Sequence, residues 1–308
     1  MLERCIASVA GQTYPRIEHI VVDGGSQPQV LTTLDRAGIT FVSEPDGGQT
    51  SAINKGFAMA SGDLVGWLNA DDYLRPDAVE RVVAALQQHP SSGWAYGDCE
   101  FVGGRASGVW KAHSELTESL IRAGEVVPQP GSFVWSSALA DVGPLDESFH
   151  FTMDVDIFLR LIDGGYWPVY VRGVLARFEV HPGSKTGGET RAAFLEEHAR
   201  ALAKSGRATA AAVMYGRAAI TEASAGSRLD ADAPPRILPR FADHVPDAAA
   251  AGAFQAGIAS ERVIIQVRTR PFRALRDLFA LGPWRFSESR TLLLLAGRRA
   301  LRFGRPRI

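Results

Sequence analysis

Cysteine is nearly absent: Cys5 and Cys99 are the only two in 308 residues. Two are too few for a disulfide framework, and both sit in apolar periodic segments that are expected to be buried, as in a protein of a reducing compartment. Long apolar runs are missing as well. The longest aliphatic run, Leu292–Ala296, falls far short of the roughly 20 residues a bilayer-spanning helix needs, and no signal-peptide pattern opens the sequence. The expectation is a cytoplasmic protein, or one seated peripherally on the inner face of the cell membrane. Net charge is also small, at −1, which removes the general case for a nucleic-acid partner. Lysine is absent from the last stretch. From Glu261 to Ile308 there are 12 Arg against Glu261, Asp277 and Glu288, a local charge of +9 that leaves −10 on the rest.

What is present, 46% hydrophobic residues in 33.2 kDa, is enough for one substantial core and an appendage. Leu2, Cys5, Ile6 and Val9 recur at helical spacing up to Gly11. Ile17–Val22 reads as a strand, Val30–Ala37 as a helix and Thr40–Ser43 as a strand, which is βαβ grammar. A helix beginning at Gln49 or Thr50 carries Asn54 and Lys55. Further on, Ala78–Gln88 is an amphipathic helix, Trp94–Asp98 a strand, Phe101–Lys111 a hairpin and Asp154–Ile162 a helix. Tyr166–Tyr170 and Leu175–Val180 are expected strands, followed by Ala-rich helix to about Ala223. The reading is α/β, with a domain over residues 1–223 and a linker plus basic helical extension over 224–308. In that extension Val263–Val267 reads as a lone strand, and Phe272–Leu281 and Thr291–Phe303 as basic amphipathic helices suited to an anionic membrane surface.

The segment with the strongest chemical content is Gly62–Pro76. An apolar run through Leu64, Val65, Trp67 and Leu68 stops at Asn69-Ala70-Asp71-Asp72, before Pro76 opens a helix. Ligands in open α/β sheets bind beyond the carboxyl ends of strands, and adjacent carboxylates there call for a cation. Mg²⁺ suits so sparse a ligand set, because water and substrate phosphates fill its remaining positions. Helix capping by the same acidic pair is the competing reading.

With Val21-Val22-Asp23-Gly24-Gly25-Ser26 upstream and Met153-Asp154-Val155-Asp156 downstream, the sequence resembles the nucleotide-sugar glycosyltransferases of family 2 over about Leu2 to Thr186. The resemblance implies a GT-A fold, a Rossmann-like mixed sheet flanked by helices. It also implies an inverting sugar transfer from a nucleotide diphosphate sugar to an acceptor hydroxyl. Asp23 takes the position that grips the nucleobase, although the family's next aspartate is Gly24 here. Asn69-Ala70-Asp71 resembles the family's Asp-any-Asp motif with its first carboxylate turned into an amide. Asp71 then matches the ligand of Mg²⁺ or Mn²⁺, Asp72 is the nearest compensating carboxylate, and Asn69 is left to bond a ribose hydroxyl. Lys55 matches a helix position near the phosphates, while a common family arginine is Ile53. Asp154 takes the place of the base that deprotonates the incoming hydroxyl, and Asp156 with Arg160, spaced i,i+4, is assigned a structural pairing.

Gln129, in Gln129-Pro130-Gly131-Ser132-Phe133, matches a stretch before the acceptor cleft. His181, with Ser184 and Lys185, matches a loop that closes on the diphosphate, so His181 is a candidate metal ligand. The implied partners are a nucleotide sugar donor and a saccharide or lipid-linked acceptor of cell-envelope or extracellular polysaccharide synthesis. A non-catalytic nucleotide-sugar-binding or scaffold protein and a nucleotidyltransferase are the alternatives. The family's sheet also begins with an apolar strand that lies between Ile17–Val22 and Leu64–Leu68. Its absence leads to the expectation of a truncated start, with those two segments either unpaired on their facing edges or closed on each other.

Overall fold

A computed structural model of the chain describes residues 1–103, 107–122, 127–181, 190–225 and 248–269. Two compact units emerge, Met1–Thr190 with Arg200–Arg207, and Arg191–Ala199 with Ala208–Ile308.

The first unit opens with helix α1 (Leu2–Ala10), strand β1 (Ile20–Asp23), helix α2 (Pro28–Ala37), strand β2 (Thr40–Ser43) and helix α3 (Gln49–Met59). Pro28 at the first helical position and Gly38, left-handed at φ 63°, bound α2 as start and stop signals should. β1 and β2 form a parallel two-stranded sheet in the register Ile20↔Thr40 to Asp23↔Ser43. Next come β3 (Leu64–Val65), β4 (Tyr73–Leu74), α4 (Ala78–Gln88), β5 (Trp94–Val102) and β6 (Gly108–Trp110). They are followed by α5 (Glu118–Arg122), a 3₁₀ turn at Gln129–Gly131, β7 (Phe133–Trp135), α6 (Ser136–Val142), α7 (Met153–Asp163) and β8 (Pro168–Glu179). The second sheet has the order β3-β7-β5-β8-β4, with β6 on β5. It is mixed: β5 and β8 are parallel, and the β3–β7, β4–β8, β5–β6 and β5–β7 pairs are antiparallel.

One face of this sheet packs on α4. Val79, Val82 and Leu86 meet Ala95, Cys99, Val171, Leu175 and Ala176 in the buried core. On strand β5 the alternate residues Trp94 and Tyr96 turn to other partners, which is the period-2 consequence of a pleated strand. Both cysteines are buried, as expected.

Several sequence expectations are corrected here. The motif strand is ladder-bonded only at Leu64–Val65. Tyr73-Leu74, expected to lead straight into a helix, first pairs with Arg177 and Ala176 on β8. The two expected strands after Tyr166 are one, β8, whose register slips against β5 between Gly97 and Cys99. A bulge of this kind bends a strand without ending it. Of the two arrangements expected for the segments facing an absent strand, the unpaired one is observed: β1 pairs with β2, β3 pairs with β7, and no ladder joins β1 to β3 among the described residues.

The second unit is helical. It holds the first part of α8 (Arg191–Lys204), α9 (Ala208–Ala225) and α10 (Ala248–Thr269). Gly216 and Gly257 let α9 and α10 touch backbone to backbone. A Cβ at Gly216 would lie 2.0 Å from the Phe254 carbonyl oxygen, and one at Gly257 would lie 1.9 Å from that of Val213. Glu261, fully buried, is bonded by Arg191 at 2.8 and 3.1 Å and by Arg217 at 3.0 Å. Val263–Val267 continues α10 and is not a strand. Extending an existing helix needs no new nucleus, and this outweighs the modest helix penalty of β-branched residues. The expected helices Phe272–Leu281 and Thr291–Phe303 lie outside the described residues. No described helix is long and apolar enough to cross a membrane.

Candidate active site

Asp23 ends β1 and is buried. Its Oδ2 accepts hydrogen bonds from the Gly25 and Ser26 amides at 3.1 and 2.8 Å and from Ser43 Oγ, on β2, at 2.7 Å. Burial alone would raise the pKa of this carboxyl. The hydrogen bonds from Ser26, Ser43 and Gly25 outweigh it and hold the group below its ordinary value. Asp23 is therefore fixed as a carboxylate at the strand end.

The turn after β3 is built by an amide relay. Gln49 Nε2, at the start of α3, donates to Asn69 Oδ1 at 2.6 Å. Asn69 Nδ2 in turn donates to Asp72 Oδ2 at 3.1 Å, and Asp72 Oδ1 accepts the Glu179 amide at 3.1 Å. Asp72 is fully buried, and burial followed by the Asp71 charge pushes its pKa up to about 7. Two expectations change. Asp72 faces inward to Asn69 and Glu179, so it is a support of the turn and not a compensating ligand. Asn69 spends both ends of its amide on protein partners, so a ribose contact is not its visible role.

Asp71 is different. Its Oδ2 lies 3.0 Å from His181 Nε2, and both side chains are 28% exposed. A carboxylate and an imidazole converging at an accessible edge are suitable donors for Mg²⁺ or Mn²⁺, Mn²⁺ being the more tolerant of nitrogen. Among the described residues no third His, Cys, Asp or Glu joins them. Such a pair suits a cation that takes its other ligands from a bound phosphate group and water. Ser184 and Lys185 lie outside the described residues.

Asp154 stands in the first turn of α7, with Thr152 at the N-cap position. Its Oδ1 accepts the Val155 amide at 2.9 Å. The Asp156–Arg160 pairing is present at 2.9 Å, and Arg160 also donates to the carbonyls of Val142, Gly143 and Pro144. Lys204 adds a second cation, 2.8 Å from Asp156. This network anchors α7 to the loop before it.

Two sets of contacts tie the segment that carries the Asn69–Asp71 turn to helix α7, which carries Asp154, and to the loop before it. Trp67, two residues before Asn69, stacks at 6.4 Å on Phe158, one helical turn beyond Asp154. Phe158 in turn lies flat on Trp94, with centroids 4.6 Å apart and planes 2° apart. On the other side, α3 holds both halves. Gln49 reaches Asn69, Thr50 Oγ1 donates to the Phe149 carbonyl at 2.9 Å, and Asn54 bonds both the amide and the carbonyl of Leu145 at 2.9 Å. Gln129 is buried and donates Nε2 to the Trp67 carbonyl at 2.7 Å, so it too ties down the motif strand. Lys55 is drawn to Glu44 at 2.5 Å.

Gln49, Thr50, Asn54, Trp67 and Phe158 were not singled out from sequence as site residues. A polar, weak helix former such as Asn54 inside a helix was the one available signal.

A mixed central sheet with a carboxylate-bearing turn at a strand end and a helix presenting Asp154 beside it has the GT-A architecture. Solved structures agree. Staphylococcus aureus TarS superposes with a TM-score of 0.54 at 16% identity, over 85% of this chain and 52% of that one. A mannosyltransferase of Pyrobaculum calidifontis, solved with GDP-Man and Mn²⁺, gives 0.50 at 17% identity, over 99% of this chain and 84% of that one. The family model "Glycosyl transferase family 2" matches residues 1–121. An uncharacterized glycosyltransferase of Mycobacterium tuberculosis is 38% identical over 190 residues, which are 58% of this chain and 70% of the relative. The O-antigen biosynthesis protein RfbC of Myxococcus xanthus is 31% identical over 170 residues, 52% of this chain and 13% of that protein. The chain belongs to glycosyltransferase family 2. It is a glycosyltransferase of the GT-A fold.

Proposed function

We propose that this glycosyltransferase moves a sugar from a nucleotide diphosphate sugar to an acceptor hydroxyl with inversion at the anomeric carbon. The observation that carries the reading is the double tie between the segment of the Asn69–Asp71 turn and the helix and loop that carry Asp154, through Trp67–Phe158 on one side and α3 on the other. Chemistry of this kind needs the donor's leaving group and the base to be held in one frame. Asp23 grips the nucleoside. Asp71 and His181 hold the Mg²⁺ or Mn²⁺, which when bound supplies positive charge against the departing diphosphate.

The acceptor oxygen attacks the anomeric carbon on the face opposite the diphosphate, forming the new glycosidic C–O bond as the bond to the diphosphate breaks. Asp154 takes the hydroxyl proton, and the nucleoside diphosphate leaves with the bonding electron pair. Metal dependence is supported by the donor set and by the Mn²⁺ complex of the Pyrobaculum mannosyltransferase. A nucleotide sugar donor is supported by that protein's GDP-Man and by a TarS complex with UDP-GlcNAc. A saccharide or lipid-linked saccharide acceptor, in envelope polysaccharide synthesis, is supported by the name of the Myxococcus relative. The membrane-surface role of the basic tail lies outside the described residues and has no part in this reading.

The test is incubation with a panel of UDP-, GDP- and dTDP-sugars and saccharide acceptors, with Mg²⁺, with Mn²⁺ and with chelator, scoring nucleotide release. Acceptor-dependent release abolished by chelator is expected. Release indifferent to chelator removes the cation from the reading, and the absence of release across the panel removes the donor class.

A further inference from the structure

The residue after Asp23 is glycine where the family carries a second aspartate, and the backbone gives no reason for it. Gly25 needs its glycine, with φ at 89°, but Gly24 is not in the left-handed region. Space gives the reason. A Cβ built on Gly24 would lie 3.1, 3.2 and 3.3 Å from Oδ2, Oδ1 and Cγ of Asp46. The carboxylate of Asp46, from the loop between β2 and α3, rests against the bare α-carbon of Gly24. A side chain at 24 and the carboxylate of 46 compete for one place.

Asp46 is half-buried and held through one oxygen. Oδ1 accepts the Gly48 amide at 2.8 Å, closing the turn into α3. Among the described residues no hydrogen bond reaches Oδ2. Asp23 next door is likewise held through one oxygen, its Oδ2, by protein donors. Asp46, in the loop that follows β2, thus lies beside Gly24, the residue after Asp23 at the end of β1.

We infer that Asp46 is a donor-binding residue that supplies, from a different loop, the second nucleoside-recognising carboxylate missing at position 24. The ligand is a nucleoside diphosphate, whose base N–H and ribose hydroxyl groups are the hydrogen-bond donors such a pair of acceptors selects. The inference rests on the reading that the β1 end holds the nucleoside. It goes beyond that reading in naming Asp46 and in explaining Gly24.

The decisive variant is Asp46→Asn. Its Oδ1 still accepts the Gly48 amide, so the turn is kept, and only the outward acceptor becomes a donor. Calorimetric titration with UDP, GDP, ADP, CDP and dTDP identifies the tightest ligand of the parent protein, and that ligand is then titrated into Asp46→Asn, Asp23→Asn, Asp46→Ala and the exchange Gly24→Asp/Asp46→Ala. Thermal unfolding verifies that each variant is folded. Expected is a loss of about tenfold to a hundredfold in affinity for Asp46→Asn, with the exchange binding more tightly than Asp46→Ala alone. Affinity within about twofold of the parent for Asp46→Asn, with a clear loss for Asp23→Asn, overturns the role of Asp46 and leaves the donor reading standing. No loss in either variant, or no binding of any nucleotide by the parent, overturns both.

Discussion

Between Ala7 and Leu64 only Asp23, Leu34 and Thr50 are buried, whereas α7 alone buries eight of its eleven residues. The side that carries Asp23 is a two-stranded sheet and two helices clipped in place by polar side chains. The side that presents Asp154 is a helix seated on stacked aromatics. The first arrangement adapts at low cost, since half-exposed strands have little apolar area to lose. The second holds Asp154, the proposed base, on a firmly packed helix. A glycosyltransferase has a use for both, because donors vary and the geometry of in-line attack does not.

The largest effect is expected where geometry and chemistry meet. Asp154→Asn should lower kcat by roughly a hundred- to ten-thousandfold while nucleotide affinity stays near that of the parent. An equal loss of donor affinity, measured by titration, breaks the division of labour between the two sides. The contrast in packing is sharpened by a pair of truncations. Phe158→Ala removes a ring stacked on Trp94 and should cost about 3–5 kcal/mol in chemical denaturation. Val22→Ala, in half-buried β1, should cost only about 1 kcal/mol. Similar losses at the two positions would mean that the two sides are equally well packed.

Smaller, and specific to the amide relay, is Asn69→Asp. It restores the family's carboxylate but sets it against buried Asp72 and deletes the donor that Asp72 accepts from. A loss of about 1–3 kcal/mol is expected for the metal-free protein. The exchange Asn69→Asp/Asp72→Asn should recover most of it, because the bond is remade with its direction reversed. Failure of that recovery in thermal melts would show that the relay is not what selects the amide.

The smallest effect concerns acid. Asp23 has a folded pKa held below its ordinary value of 3.8. Its contribution to stability is therefore fully present above about that pH and is lost as pH falls through the depressed value. In Asp23→Asn the acid limb of the stability curve should be shallower, and an unchanged limb would mean that the hydrogen bonds to Asp23 carry no net stability.

Much of this was legible in the chain. Most of the strand and helix order through α7 followed from apolar periodicity, β4 being an exception, and the Asp156–Arg160 pair formed at its i,i+4 spacing. What was not legible depended on contacts distant in sequence. Asn69 looks like a weakened ligand until Gln49 and Asp72 are seen at its two ends, 20 residues before it and three after. Gly24 looks like a lost aspartate until Asp46 is found beside it. Val263–Val267 misled because a short β-branched run cannot by itself report that a long helix precedes it.

Asn54 and Asn69 also differ in how they tolerate change over generations of sequence. Asn69 bonds two side chains, so substitutions at 69 and 72 can offset each other and should travel together among related chains. Asn54 reads the backbone of Leu145, both its amide and its carbonyl. No replacement at 145 other than proline alters what Asn54 reads, so no partner substitution is able to rescue its loss. Position 54 should stand fixed by itself, while 69 and 72 drift as a pair.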